Sequence, residues 1–178
     1  MHLSTDIISK RINKFLKILM IYIAISGLYS FSAFILEESM QTIMFGTWAA
    51  QDAGDWALVM TGCQTNRKIN KLLKIVNYSV GWIQPFAFIA YKSYGEAMDF
   101  YIEALERKVL KREPGLFIGR ELTLTVQPVN HRKTDNGYLV KTKTLLIISP
   151  SELHANDKVT GIIIKYKNTV ALNLKEVL

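Results

Sequence analysis

The stretch Ile18 to Leu36, ILMIYIAISGLYSFSAFIL, decides how the rest of this chain is read. It holds 19 consecutive uncharged residues, closed by Lys17 on one side and by Glu37 and Glu38 on the other. At 1.5 Å per residue a helix of that length runs about 28 Å, close to the hydrocarbon thickness of a bilayer. Two other readings compete with a membrane span: a buried core helix, and a cleavable signal peptide. The second arises because Lys10, Arg11, Lys14 and Lys17 form a basic n-region and Ser30-Phe31-Ser32 offers a small-residue cleavage site. The apolar stretch exceeds the usual h-region, which favours an uncleaved anchor over residues 18–36 behind a basic cytoplasmic arm, residues 1–17.

Working outward, Ile75 to Tyr91, IVNYSVGWIQPFAFIAY, is the second uncharged stretch, 17 residues with Tyr78, Trp82 and Tyr91 as interfacial aromatics. It predicts a second transmembrane helix, kinked near Ile83 and Gln84 because Pro85 lacks an N–H and crowds the preceding turn. Asn77 and Gln84 would seek a protein partner rather than lipid. An interfacial helix is the alternative, kept open by Lys71, Lys74 and Lys92 at its flanks.

Between these stretches, residues 37–74 read as an outer loop with an interfacial helix. Thr42 to Cys63 is apolar overall but carries Gln51, Asp52 and Asp55 at its middle. Two intramembrane carboxylates cost about 2.5–3.5 kcal/mol each on the insertion scale, so a span is disfavoured. Trp48 and Trp56 flank the acidic pair and suit a helical hairpin or an interfacial segment lying on the outer leaflet, with Ala49, Ala50 and Gly54 permitting close packing. A sharper alternative makes Asp52 and Asp55, three residues apart, an ion or proton site.

Orientation follows from the basic residues. Glu37 to Asn66 carries four acids and no Lys or Arg, so the N-terminal arm is placed in the cytoplasm. Two spans then return the C-terminal half to the cytoplasm, leaving Arg67, Lys68, Lys71 and Lys74 as misfits on the outer side. A three-span arrangement repairs that misfit but buries both aspartates and exports the basic C-terminal half.

Residues 92–113 change to helical periodicity: Met98, Ile102, Leu105 and Val109 recur at spacings of four, three and four. This amphipathic connecting helix ends at Glu113-Pro114-Gly115. Its apolar stripe needs a partner, either the C-terminal domain or a second copy.

From 114 to 178 the pattern becomes β. Between Leu116 and Gln127 the even positions Leu116, Ile118, Leu122, Leu124 and Val126 are apolar and the odd positions Glu121, Thr123, Thr125 and Gln127 polar, Asp135-Asn136-Gly137 signals a turn, and strands follow over Tyr138–Ile148, Val159–Tyr166 and Thr169–Val177. The fold class read from this is membrane α + β: two transmembrane helices, a connecting amphipathic helix and a small four-stranded β-barrel or sheet of SH3-like or OB-like size. A domain of about 60 residues buries only about 60% of its unfolded surface, so it benefits from docking on something else.

Composition agrees with such a blend. Of 178 residues 49% are hydrophobic, the net charge is +7 and the mean hydropathy is +0.14, too high for an ordinary soluble protein and too low for a mostly intramembrane one. A single cysteine excludes an internal disulfide framework. His2, His131 and His154 show no metal-ligand spacing, and no Walker loop, dinucleotide fingerprint or G-x-S-x-G occurs. Neither a catalytic centre, a metal nor a cofactor is expected.

Lys141 and Lys143 alternate on one expected strand and Lys165 and Lys167 on another, which would place them on one sheet face, available to anionic lipid headgroups or an acidic partner. Tyr138 and Tyr166 have the opposite parity, which disfavours nucleic acid. The chain therefore reads as a non-enzymatic membrane subunit, both termini cytoplasmic in a bacterial inner membrane, that scaffolds an envelope assembly such as secretion, conjugation or transport machinery. Its expected partners are the lipid bilayer and other membrane subunits or further copies of itself. Contact residues are Trp48, Asp52, Asp55 and Trp56 outside, Gln84 and Pro85 in the second span, and Lys141, Lys143, Lys165 and Lys167 on the sheet. Two alternatives remain: a sensor whose barrel binds a small anionic ligand, and an ion- or proton-coupled transport subunit.

Overall fold

The computed structural model describes residues 2–134 and 137–178, with side chains described from Ser9 onward. Three long helices, α1 (His2–Ala53), α2 (Trp56–Val80) and α3 (Pro85–Arg112), precede six strands. The strands are β1 (Glu121–Thr125), β2 (Pro128–Thr134), β3 (Gly137–Thr142), β4 (Leu146–Ser149), β5 (Lys158–Tyr166) and β6 (Thr169–Val177). The chain divides into two compact units, Met1–Ala53 with Thr61–Glu103, and Gly54–Met60 with Ala104–Leu178.

In the first unit the apolar stretch 18–36 lies inside one uninterrupted helix. Its most apolar 18-residue window is only 11% buried, so the protein itself does not cover it. Among the described residues this is the one helix long and apolar enough to cross a membrane. The second expected transmembrane helix is not formed as a helix. Residues 75–91 are split between the end of α2, a 3-10 turn at Gly81–Ile83 and the start of α3.

Pro85 explains the split. Inside a helix its ring would collide with the carbonyl of Gly81; that carbonyl instead accepts the Gln84 N–H at 2.9 Å, and α3 restarts with Pro85 as its first residue, where a missing N–H costs nothing. The expected kink is thus a full reversal.

The hairpin foreseen between Trp48 and Trp56 is present. Gly54 ends α1 at φ +76°, the left-handed conformation glycine adopts freely, and Asp55 opens α2 by accepting the Leu58 N–H at 3.0 Å. Close packing follows from Gly62 on α2, where an added Cβ would lie 2.2 Å from Thr47 Oγ1.

The expected connecting helix lies within the longer α3, Pro85–Arg112. Met98, Ile102, Leu105 and Val109 are all buried, so the stripe finds its cover within the chain.

In the second unit the strands form one open six-stranded sheet in the order β1-β5-β6-β4-β3-β2, mixed because β4 and β6 run parallel. It is neither four-stranded nor a closed barrel. Two misreadings account for the difference. The stretch 138–148 is two strands, because Thr142 accepts the Thr144 and Leu145 N–H groups through its hydroxyl and donates to the Leu145 carbonyl, making a tight turn. The polar run before the turn is itself a strand, β2, paired with β3 up to Thr134 and Gly137; the expected turn residues Asp135 and Asn136 lie outside the described residues. At the start of the domain, Pro114–Phe117 forms a 3-10 turn and Gly119 takes φ +81°, so residues 116–120 are not extended strand. Val140, Ile147, Val159, Ile163 and Leu172 are buried together on one face of the sheet.

Candidate membrane-contact site

The site grows from the α2–α3 turn laid against α1. α2 presents Val59, Cys63, Asn66, Asn70, Leu73 and Asn77 at spacings of three and four, and all are buried. Three of the six are asparagines, so the helix buries a polar seam. Asn70 donates to the Gly95 carbonyl at 2.8 Å and to Asp99 Oδ1 at 2.6 Å, and Lys74 pairs with the other oxygen of Asp99. Asn77 donates to the Phe88 carbonyl at 3.0 Å and accepts the Tyr29 hydroxyl at 2.7 Å.

Gln84, at the tip, donates to Ser26, through both its carbonyl at 3.1 Å and its hydroxyl, and accepts the Ser30 hydroxyl at 3.1 Å. The Tyr22 hydroxyl donates to the Ile83 carbonyl at 3.2 Å. Gly81 allows this approach: a Cβ there would stand 2.6 Å from Asn77 Oδ1 and 3.0 Å from the Tyr29 hydroxyl. The tip is therefore pinned to the middle of the apolar stretch of α1.

No protein family, curated protein or solved structure matches this chain.

What the tip turns outward is apolar. Phe86 is 89% exposed and Trp82 71%, with Ile75, Tyr78 and Ile89 also exposed around them. On α1, Ile18 through Ile23 are exposed one after another, so no face of that part of the helix is covered. Polar groups inward and large aromatics outward invert the usual order of a water-facing surface.

The other residues singled out from the sequence take separate places. Gln84 is satisfied within the chain, and Pro85 beside it is exposed. Trp48 stacks edge-on with Phe45 at 5.3 Å and with Tyr101 at 6.2 Å. Asp52 is exposed, Trp56 half-buried, and Asp55 caps α2.

The lysine face is not formed. Lys141 lies opposite Leu146, Leu146 opposite Ala171, and Ala171 opposite Ile164, so these share a face. Lys165 follows Ile164 along β5 and points to the other face. Lys143 sits in the β3–β4 turn and Lys167, at φ +52°, in the β5–β6 turn.

Cations do converge elsewhere in the second unit. Arg107 and Lys111, one turn apart on α3, and Lys158 at the start of β5 line a cleft of about 370 Å³ with Thr123, Thr125 and Thr144. Among the described residues no acidic side chain lines it. Of the buried asparagine seam only Asn77 is given a protein partner from the sequence; Asn66 and Asn70 escape it because asparagine reads as a surface residue, and their three- and four-residue spacing with Val59, Cys63 and Leu73 is the signal that finds them.

Proposed function

We propose that this protein is a non-enzymatic integral membrane subunit, held in the bilayer by α1, that helps to assemble a larger envelope complex through its C-terminal sheet. The observation that carries the reading is the helix whose apolar window the chain leaves almost uncovered. An open sheet supports the assembly role, since β1 and β2 are edge strands with unpaired backbone groups. The test is the mass of the full chain extracted in mild detergent. More than one protein chain per micelle is expected; a monodisperse monomer with a protease-resistant sheet overturns the assembly role.

The cationic cleft favours a second reading, in which the second unit binds a small anionic ligand. Lys141 and Lys165 have no part in it; Arg107, Lys111 and Lys158 supply the charge and the threonine hydroxyls the donors. Inorganic phosphate or pyrophosphate is then expected to raise the unfolding temperature of the full chain, and Lys111→Gln with Lys158→Gln to abolish the rise. The ion-coupled alternative draws less support, because the Asp55 carboxylate is engaged in the α2 cap.

A further inference from the structure

We infer that the α2–α3 hairpin is a re-entrant element, which dips into the lipid from the Glu37 side, stops part-way and returns, so that α1 alone crosses the bilayer. The inference rests on the reading of α1 as the membrane anchor.

Depth comes first. Gln84 is bonded to Ser26 and Ser30, which lie six to ten residues before Leu36. At 1.5 Å per residue the tip therefore sits about 9–15 Å below the level at which the apolar stretch meets Glu37. The two arms give the same depth independently. Residues 75–80 above the turn on α2 and 85–91 on α3 are uncharged, about 9–10 Å of helix each, and Lys74 and Lys92 are the first charges on either arm. Both arms thus place a cation near the interface: Lys74, paired with Asp99, and the exposed Lys92, whose long side chain reaches the headgroups.

The polar chemistry fits lipid as well. Irregular backbone and amide side chains at membrane depth persist only where protein satisfies them. Here the amides of Asn77 and Gln84 and the carbonyl of Ile83 all find partners on α1 or α3. Outward, Trp82 and Phe86 continue the apolar ring of α1. Because Ile18 through Ile23 are exposed all round, no stripe is set aside for one protein partner, and a helix apolar on every side matches hydrocarbon. One consequence is topological: the chain emerges from α3 on the Glu37 side, so the N-terminal arm and the C-terminus lie on opposite sides of the membrane, whereas two crossings would return them to one side.

Trp82 is its own reporter once Trp48→Phe and Trp56→Phe leave it as the single tryptophan. In phosphatidylcholine vesicles with brominated acyl chains, Trp82 is expected to lose most of its emission while aqueous acrylamide quenches it weakly. Emission untouched by brominated lipid overturns the proposal, whether acrylamide then reaches Trp82 or a protein partner shields it. A second arm uses Cys63→Ser with either Ser9→Cys or Asn173→Cys in sealed, oriented membrane vesicles. Only one of the two is expected to react with an impermeant maleimide before permeabilisation; reaction of both from one side overturns the inference. A protein that washes off in alkaline carbonate sinks the anchoring reading itself, and a carbonate-resistant protein with an unquenched Trp82 sinks only the hairpin.

Discussion

The Tyr29 hydroxyl donates to Asn77 Oδ1 at 2.7 Å, and the same amide donates onward to the Phe88 carbonyl at 3.0 Å. One side chain thereby ties α1, α2 and α3 together beside the turn. Asn77→Leu strands the tyrosine hydroxyl in a buried setting, worth about 1–3 kcal/mol when unpaired, and takes a second donor from the Phe88 carbonyl, which keeps its helical bond within α3. The expected result is a large fall in unfolding temperature in detergent. Tyr29→Phe removes one bond only and should cost less. The double variant should fall short of the sum, because both changes break the same contact.

Glycines at two places in the helices should respond to alanine with opposite signs. At Gly81 the new Cβ meets Asn77, Phe88 and Tyr29 at 2.6 to 3.0 Å, and overpacking of this kind costs about 1–3 kcal/mol. At Gly46, within α1, nothing lies within 4 Å. Gly46→Ala should therefore stabilise by about 0.5–1 kcal/mol through helix propensity alone. Thermal unfolding of the two variants beside the parent checks both signs.

Legibility in the sequence followed the physics of each segment. Unbroken apolarity revealed α1, the acidic break between Trp48 and Trp56 pointed to the first hairpin, and strict spacing revealed the buried stripe of α3. The second span was misread because Pro85 signals an interruption without saying whether the chain bends or reverses; Gly81, four residues earlier, is what makes reversal possible. β2 escaped because an edge strand such as NHRKT, exposed along most of its length, has no need of alternation. The lysine face failed because parity carries only along a continuous strand, and the turn at Thr142 resets it.

The acidic pair near the first hairpin separates by role. Asp55→Ala removes the acceptor for the Leu58 N–H and should cost about 1 kcal/mol, as the loss of a helix N-cap generally does. Asp55→Asn keeps an acceptor and should stay close to the parent. Asp52, exposed at the end of α1, should tolerate alanine with little change in unfolding temperature. If the pair instead worked as a proton or cation site, asparagine at position 55 would abolish transport while leaving stability intact, which a vesicle flux assay would detect.

Tyr101 offers a pH signature outside the membrane-spanning stretch. Burial pushes its phenol up to about 12, with the Cys63 thiol nearby adding to the rise and the adjacent Trp48 indole opposing it. A group whose folded value lies above its unfolded value of 10 contributes fully below pH 10, where both states hold the proton. Its contribution is lost as pH climbs from 10 towards 12, because the unfolded chain releases the proton first. Unfolding temperature measured across that window should drop more steeply for the parent than for Tyr101→Phe. Subtracting the two curves removes the titration of lysines common to both chains. Parallel curves would show that the Tyr101 phenol is hydrated in the folded state, and that the packing of Trp48 against it is looser than the 6.2 Å edge-on contact describes.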